Sequence, residues 1–137
     1  MNKLILNTLN QQFINTHLDS DITSLLFTTP NPKLASIKDL IGQIEAKNKC
    51  KLKLPRWFQT KTIYYPDKVN IEQTSSEITA QYKASLVSGE SLIDITGGFG
   101  VDAFYFAKHF NQVFHCEINT RLSEIVRHNL NNLMLVI

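Results

Sequence analysis

Several things are scarce in this 137-residue chain, and each scarcity excludes a class of protein. The two cysteines, Cys50 and Cys116, are far apart and in no CxxC spacing, which excludes a disulfide framework and a cysteine zinc site. A reducing, cytoplasmic setting is the default that follows. Charge of one sign is also scarce, since 14 Lys and Arg face 12 Asp and Glu, so the net charge of +2 gives no global argument for a polyanion or a membrane. Any such partner must be argued locally. Long apolar runs are missing too: Leu4-Ile5-Leu6 is too short for a signal peptide, and the longest run is Leu133 to Ile137, so no membrane span is expected. Histidines His17, His109, His115 and His128 show no metal-like spacing, and no metal site is expected.

What is present is unevenly distributed. All four prolines precede residue 67, and every glycine but Gly42 follows residue 88. Periodicity predicts helices over Leu9 to Leu18, Ile22 to Phe27 and Ser36 to Lys49. The third has the clearest signals, with Ser36 as cap, Asp39 three residues on, and Ile37, Leu40, Ile41 and Ile44 on one stripe. Pro30 and Pro32 mark the loop before it, and Pro55 the break after it. Residues 54 to 70 read as an extended connector whose aromatic groups, Trp57, Phe58, Tyr64 and Tyr65, need a surface to bury against. A helix from Ile71 to Val87 follows, with Ile78, Tyr82, Leu86 and Val87 on one side and Gly89 as its stop.

The second half reads as strand, glycine turn, helix, strand, helix. Leu92 to Ile95 is a strand, Thr96-Gly97-Gly98-Phe99-Gly100 the turn, and Val101 to Phe110 a helix. Gln112 to Ile118 is the next strand, with Cys116 as a small core residue. Thr120 caps a helix whose apolar face is Leu122, Ile125, Val126 and Leu130. This order opens a parallel α/β sheet. The expected division is a helical N-terminal region over residues 1–65 and the start of an α/β domain over residues 66–137.

Chemistry concentrates in Asp94-Ile95-Thr96-Gly97-Gly98-Phe99-Gly100-Val101-Asp102, joined to Glu117 at the end of the second strand. Glycines at a strand-to-helix turn let a nucleoside-bearing cofactor lie against the backbone, and an acid about twenty residues on can accept both ribose hydroxyls. Glycine spacing alone does not choose between cofactors, because Gly98, Gly100 and Ala103 also fit a loose NAD fingerprint. Charge favours S-adenosylmethionine, whose ammonium and sulfonium suit Asp94 and Asp102, whereas a pyrophosphate is repelled by them. NAD stays as the alternative.

These residues resemble the first motif of class I S-adenosylmethionine-dependent methyltransferases, with Glu117 at the acid that ends their second strand. Glu45-Ala46-Lys47 with Leu54-Pro55-Arg56-Trp57, and Glu72-Gln73-Thr74-Ser75-Ser76-Glu77 with Thr79-Ala80 and Tyr82-Lys83-Ala84, resemble the N-terminal half of bacterial methyltransferases that carry a THUMP-like domain. The resemblance implies the opening βαβα of a Rossmann-like methyltransferase sheet, S-adenosyl-L-methionine as cofactor, and RNA as substrate. It implies Asp94, Thr96, Gly97, Gly98 and Gly100 around the methionine part, Asp102 as a weaker member, and Glu117 on the ribose. A glycine is commoner in that pattern where Thr96 stands, and the polar run Gln73 to Ser76 is placed to close over the cofactor.

An acceptor-facing Asn-Pro-Pro-Tyr type turn is missing, so no catalytic residue is named, and the sheet is expected to be incomplete with an exposed edge. That edge suggests a second reading, a non-catalytic interaction module that pairs through it with itself or with another subunit. Lys47, Lys49, Lys51, Lys53, Arg56 and Lys61 form a basic stretch that could touch RNA phosphates, with Trp57 and Phe58 placed to stack on a base. The plainer reading of the same stretch is a solvated helix end over core aromatics.

Overall fold

The computed structural model describes residues 1–27, 31 and 33–133. A 3-10 turn, Lys3–Leu6, precedes helices α1 (Thr8–Thr16), α2 (Ile22–Leu26) and α3 (Ile37–Lys53). Short helices α4 (Pro55–Gln59) and α5 (Lys68–Gln73) lead to α6 (Glu77–Ser85), then β1 (Gly89–Asp94), α7 (Val101–Phe106), β2 (Phe110–His115) and α8 (Thr120–Asn132). Pro30, Pro32 and residues 134–137, most of the long apolar run, lie outside the described residues.

Helix α3 forms as its signals predict: the Ser36 hydroxyl accepts the Asp39 N–H at 3.1 Å, and Leu40, Ile41 and Ile44 are buried. The Asp39 side chain does not close a capping box; it accepts from the Asn2 side chain at 3.1 Å instead and so ties the N-terminus to α3. The helix runs on to Lys53, past the expected Lys49, because Pro55 lies beyond its last turn. Pro55 then starts α4 rather than merely ending α3, since its missing N–H is harmless at the first helical position.

The connector is therefore not extended throughout. Only its stretch around Ile63–Pro66 threads between helices, and there the backbone bonds to side chains instead of a neighbouring strand. Asn129 of α8 accepts the Tyr64 N–H and donates to the Tyr64 carbonyl, both at 2.9 Å. Gln43 of α3 does the same to Tyr65, at 2.9 and 2.7 Å. These two buried amides satisfy backbone groups that would otherwise be costly to bury. Trp57, 0% exposed, packs edge-on to Phe104 at 5.2 Å and near Phe99 at 6.3 Å, so aromatic contacts join α4 to α7.

The single helix expected over Ile71 to Val87 is two, broken at Thr74, with the Ser76 hydroxyl capping the second by accepting the Thr79 N–H at 3.1 Å. Its expected core face is the exposed one. Ile78, Tyr82 and Leu86 are 80%, 66% and 64% exposed, while Glu77, Ala80 and Ala84 are buried, because small residues let α6 approach α7 closely. Gly89 opens β1 instead of stopping the helix, and Asn119 rather than Thr120 caps α8 by accepting the Leu122 N–H at 3.1 Å. The face of α8 is as expected, with Leu122, Ile125, Val126 and Leu130 all buried.

β1 and β2 pair in parallel, Leu92 opposite Val113 and Asp94 opposite His115. The chain is thus a mixed helical protein with a small two-stranded parallel sheet. One contiguous core runs from Ile5 to Leu130. Among the described residues no helix is long and apolar enough to cross a membrane.

Candidate functional site

Pairing in register brings the C-terminal ends of both strands together, and that is where the glycine turn begins. The ladder continues past the strands: Cys116 N–H donates to the Asp94 carbonyl at 2.8 Å, and Gly97 N–H to the Cys116 carbonyl at 2.9 Å. Asp94 turns its side chain onto the loop, accepting the Thr96 N–H at 3.1 Å. Gly97 lies directly under the His115 ring, so a side chain there would have to displace that ring. Gly100 takes φ +77° and packs its α-carbon against Val126, which excludes a side chain by both conformation and space. Gly98 is also left-handed, at φ +52°.

Glu117 closes the arrangement. One carboxylate oxygen accepts the Gly98 N–H at 3.0 Å and the other the Asn119 N–H at 2.8 Å. Each carboxylate oxygen has about two lone-pair sites, so both keep acceptor capacity for a further hydroxyl while the backbone fixes their direction. The second strand's acid and the first strand's glycine turn are thus in direct contact.

Asp102 is placed differently. On the first turn of α7 it faces the α5–α6 junction, where one oxygen accepts from the Ser75 hydroxyl at 2.8 Å and from the Lys83 ammonium at 3.0 Å. Lys83 also donates to Ser75 at 2.8 Å. The polar run ahead of α6 therefore does reach the glycine-loop helix. The other Asp102 oxygen is buried and, among the described residues, unpartnered, as is His115 Nε2. Neither Lys83 nor His115 is a site residue in the sequence reading: Lys83 stands there only within Tyr82-Lys83-Ala84 of the resemblance, and His115 only among the histidines without metal-like spacing.

Cys116 is exposed rather than a small core residue, because it lies just past β2, where the chain leaves the covered part of the sheet. Trp57 is fully buried in the aromatic cluster, in line with the plainer reading of its stretch, and has no face to stack on a base. The basic stretch is also less open than its sequence suggests. Lys49 is paired with Glu72, Lys53 donates to the carbonyls of Ile71 and Glu72 at 2.8 and 2.7 Å, and Lys47 is 8% exposed. Among the described residues no cluster of three metal-ligating side chains occurs.

With this geometry the chain can be set against known proteins. No family model matches it, and neither does any curated protein sequence. Among solved structures it is similar to a "putative methyltransferase" from Porphyromonas gingivalis W83, with a TM-score of 0.80 and 25% identity over 96% of this chain. The likeness supports a methyltransferase fold. The chain spans about a third of that protein's length, 33%.

Proposed function

We propose that this chain forms the cofactor-binding portion of a class I, Rossmann-like methyltransferase that uses S-adenosyl-L-methionine and acts on RNA. The observation that carries the reading is the contact between Glu117 and Gly98, which holds an acid with spare acceptor sites beside a Cβ-free turn. Glu117 would take the ribose hydroxyls, and Asp94, Thr96, Gly97, Gly98 and Gly100 would line the methionine part. The bound cofactor supplies a sulfonium carrying an electrophilic methyl group. Asp102 contributes less than its position on α7 suggests, because Lys83 already neutralises it at 3.0 Å. Discrimination against the pyrophosphate of NAD therefore rests on Asp94.

Calorimetric titration of the chain with S-adenosylmethionine, with NAD as control, tests this. Saturable binding of S-adenosylmethionine alone is expected, and Glu117→Ala should weaken it by about tenfold or more, the worth of one or two charge-assisted hydrogen bonds. Glu117→Gln, which keeps the shape, separates lost acceptor capacity from a loosened loop. Equal affinity in wild type and both variants would overturn the site.

A second reading is favoured by one specific observation. Parallel sheets are ordinarily covered on both faces, yet here Ile93 and Phe114, opposite each other, are 61% and 48% exposed. An interaction module that associates through this sheet would cover them. Sedimentation velocity over a concentration series tests the self-associating form of this module, which requires a dimer or larger species.

A further inference from the structure

Away from the glycine turn, a groove of ≈ 550 Å³ opens between α1, α4 and the turn after α4. Its volume falls in the range of small-molecule sites. Its chemistry is one-sided: Lys47 and Lys61 line it, together with the Phe58 ring, the Asn15 and Gln59 amides and Thr62, and none of its lining residues is a carboxylate. Lys47 is the unusual member. It is 8% exposed, donates to the Asn15 side-chain oxygen at 2.6 Å, and lies 5.3 Å from the centre of the Phe58 ring. Among the described residues no carboxylate forms an ion pair with it. A buried ammonium without a counter-ion is costly, and of its three donors Asn15 takes one. Burial accordingly holds the amine below the usual lysine range. An anion entering the groove would supply the missing partner.

The wall of the groove is held in an uncommon conformation. Thr62, a β-branched residue, has φ 57°, and it is fixed there by His128, whose Nε2 lies 2.8 Å from the Thr62 carbonyl. Such strain persists only where surrounding contacts impose it.

We propose that this groove seats one nucleotide of a single-stranded RNA, with its phosphate toward Lys47 and Lys61 and its base against the Phe58 ring. The amides of Asn15 and Gln59 both donate and accept, which matches the mixed edges of a base better than the carboxylates of an acidic peptide. The proposal rests on the reading of the chain as part of an RNA methyltransferase and gives that reading a substrate contact.

The test is fluorescence anisotropy of the full chain with a labelled single-stranded RNA of about eight nucleotides, a plausible length for one site. Lys47→Met, which keeps the aliphatic stem, should weaken binding by about tenfold, and Lys61→Ala by about threefold, each lowering the salt slope by about 0.7. Lys38→Ala, an exposed lysine outside both the groove and the basic stretch, should leave both unchanged. If wild type binds and all three variants bind equally, the groove is overturned and the RNA reading stands. If wild type binds no RNA, the RNA reading falls with it, while the cofactor titration is unaffected. If AMP competes as well as the RNA does, the occupant is a free nucleotide and the RNA assignment is overturned.

Discussion

The segment Ile63–Pro66 and the strand pair β1–β2 are built from similar β-branched and aromatic residues, yet they end in opposite surroundings. Ile63, Tyr64 and Tyr65 are 2%, 4% and 3% exposed, whereas Ile93 and Ile95 are 61% and 78% exposed. In the first region the backbone has no strand to pair with and is bonded by Gln43 and Asn129, which pull it between α3 and α8. In the second the backbone is paired strand to strand, and one face of side chains is left bare. Satisfying the backbone and burying the side chains are separate requirements, and only the clamped segment meets both. Stability should therefore be concentrated in the helical side, and cofactor binding in the sheet side.

The largest effect expected from that contrast is at Trp57. Removing its ring in Trp57→Ala leaves a cavity against Phe99 and Phe104 and should cost about 3–5 kcal/mol, measured as a fall in urea midpoint at constant slope. A loss below about 1 kcal/mol would show that the aromatic cluster collapses freely, and the contrast would fail. Next is Asn129→Ala, which leaves the Tyr64 N–H and carbonyl buried without their partner and should cost about 2–4 kcal/mol. Asn129→Asp tests the cause, because an acid can still accept from the Tyr64 N–H but, ionised, cannot donate to its carbonyl. It should fall between Asn129→Ala and wild type where the acid is protonated.

These residues also show what the sequence could carry. Helix α3 and the buried face of α8 were legible because cap and stripe are local signals that the packing respects. The glycine turn and Glu117 were legible because their spacing along the chain follows from one strand, one helix and one more strand. The clamp of Asn129 on Tyr64 was not, since it joins residues 65 apart and leaves no periodic mark. Helix α6 misled for a related reason: Ile78, Tyr82 and Leu86 do share a side, but Ala80 and Ala84 decide the contact by allowing close approach. Lys83 lies within Tyr82-Lys83-Ala84 of the resemblance, but its pairing with Asp102 depends on how α6 meets α7, which no local signal carries.

The two thiols report the same contrast as a rate. Cys50 is buried and its pKa is pushed up from 9.0 to about 12 by burial, while Cys116 is exposed at the end of the sheet. Iodoacetamide at about pH 8 should alkylate Cys116 in the folded protein and Cys50 only on unfolding, read by mass spectrometry of the peptides. The raised value also fixes a sign: the folded state resists the Cys50 thiolate, so this contribution to stability is intact below 9.0 and lost as pH rises through about 12. Simultaneous labelling of both thiols in the folded chain would break the distinction between a closed helical side and an open sheet side.

The smallest effect on stability should come from the exposed face of α6. Ile78 is 80% exposed, so Ile78→Ser removes little buried area and should change the unfolding free energy by no more than about 0.5 kcal/mol. A loss near that of Trp57→Ala would mean the face is covered in solution, and sedimentation would then show association. The pair of measurements makes the bareness of this side a property of the monomer or of the state in which it is observed. With stability unchanged and the chain monomeric, Ile78, Tyr82 and Leu86 form a free apolar surface beside the Lys83–Asp102 contact.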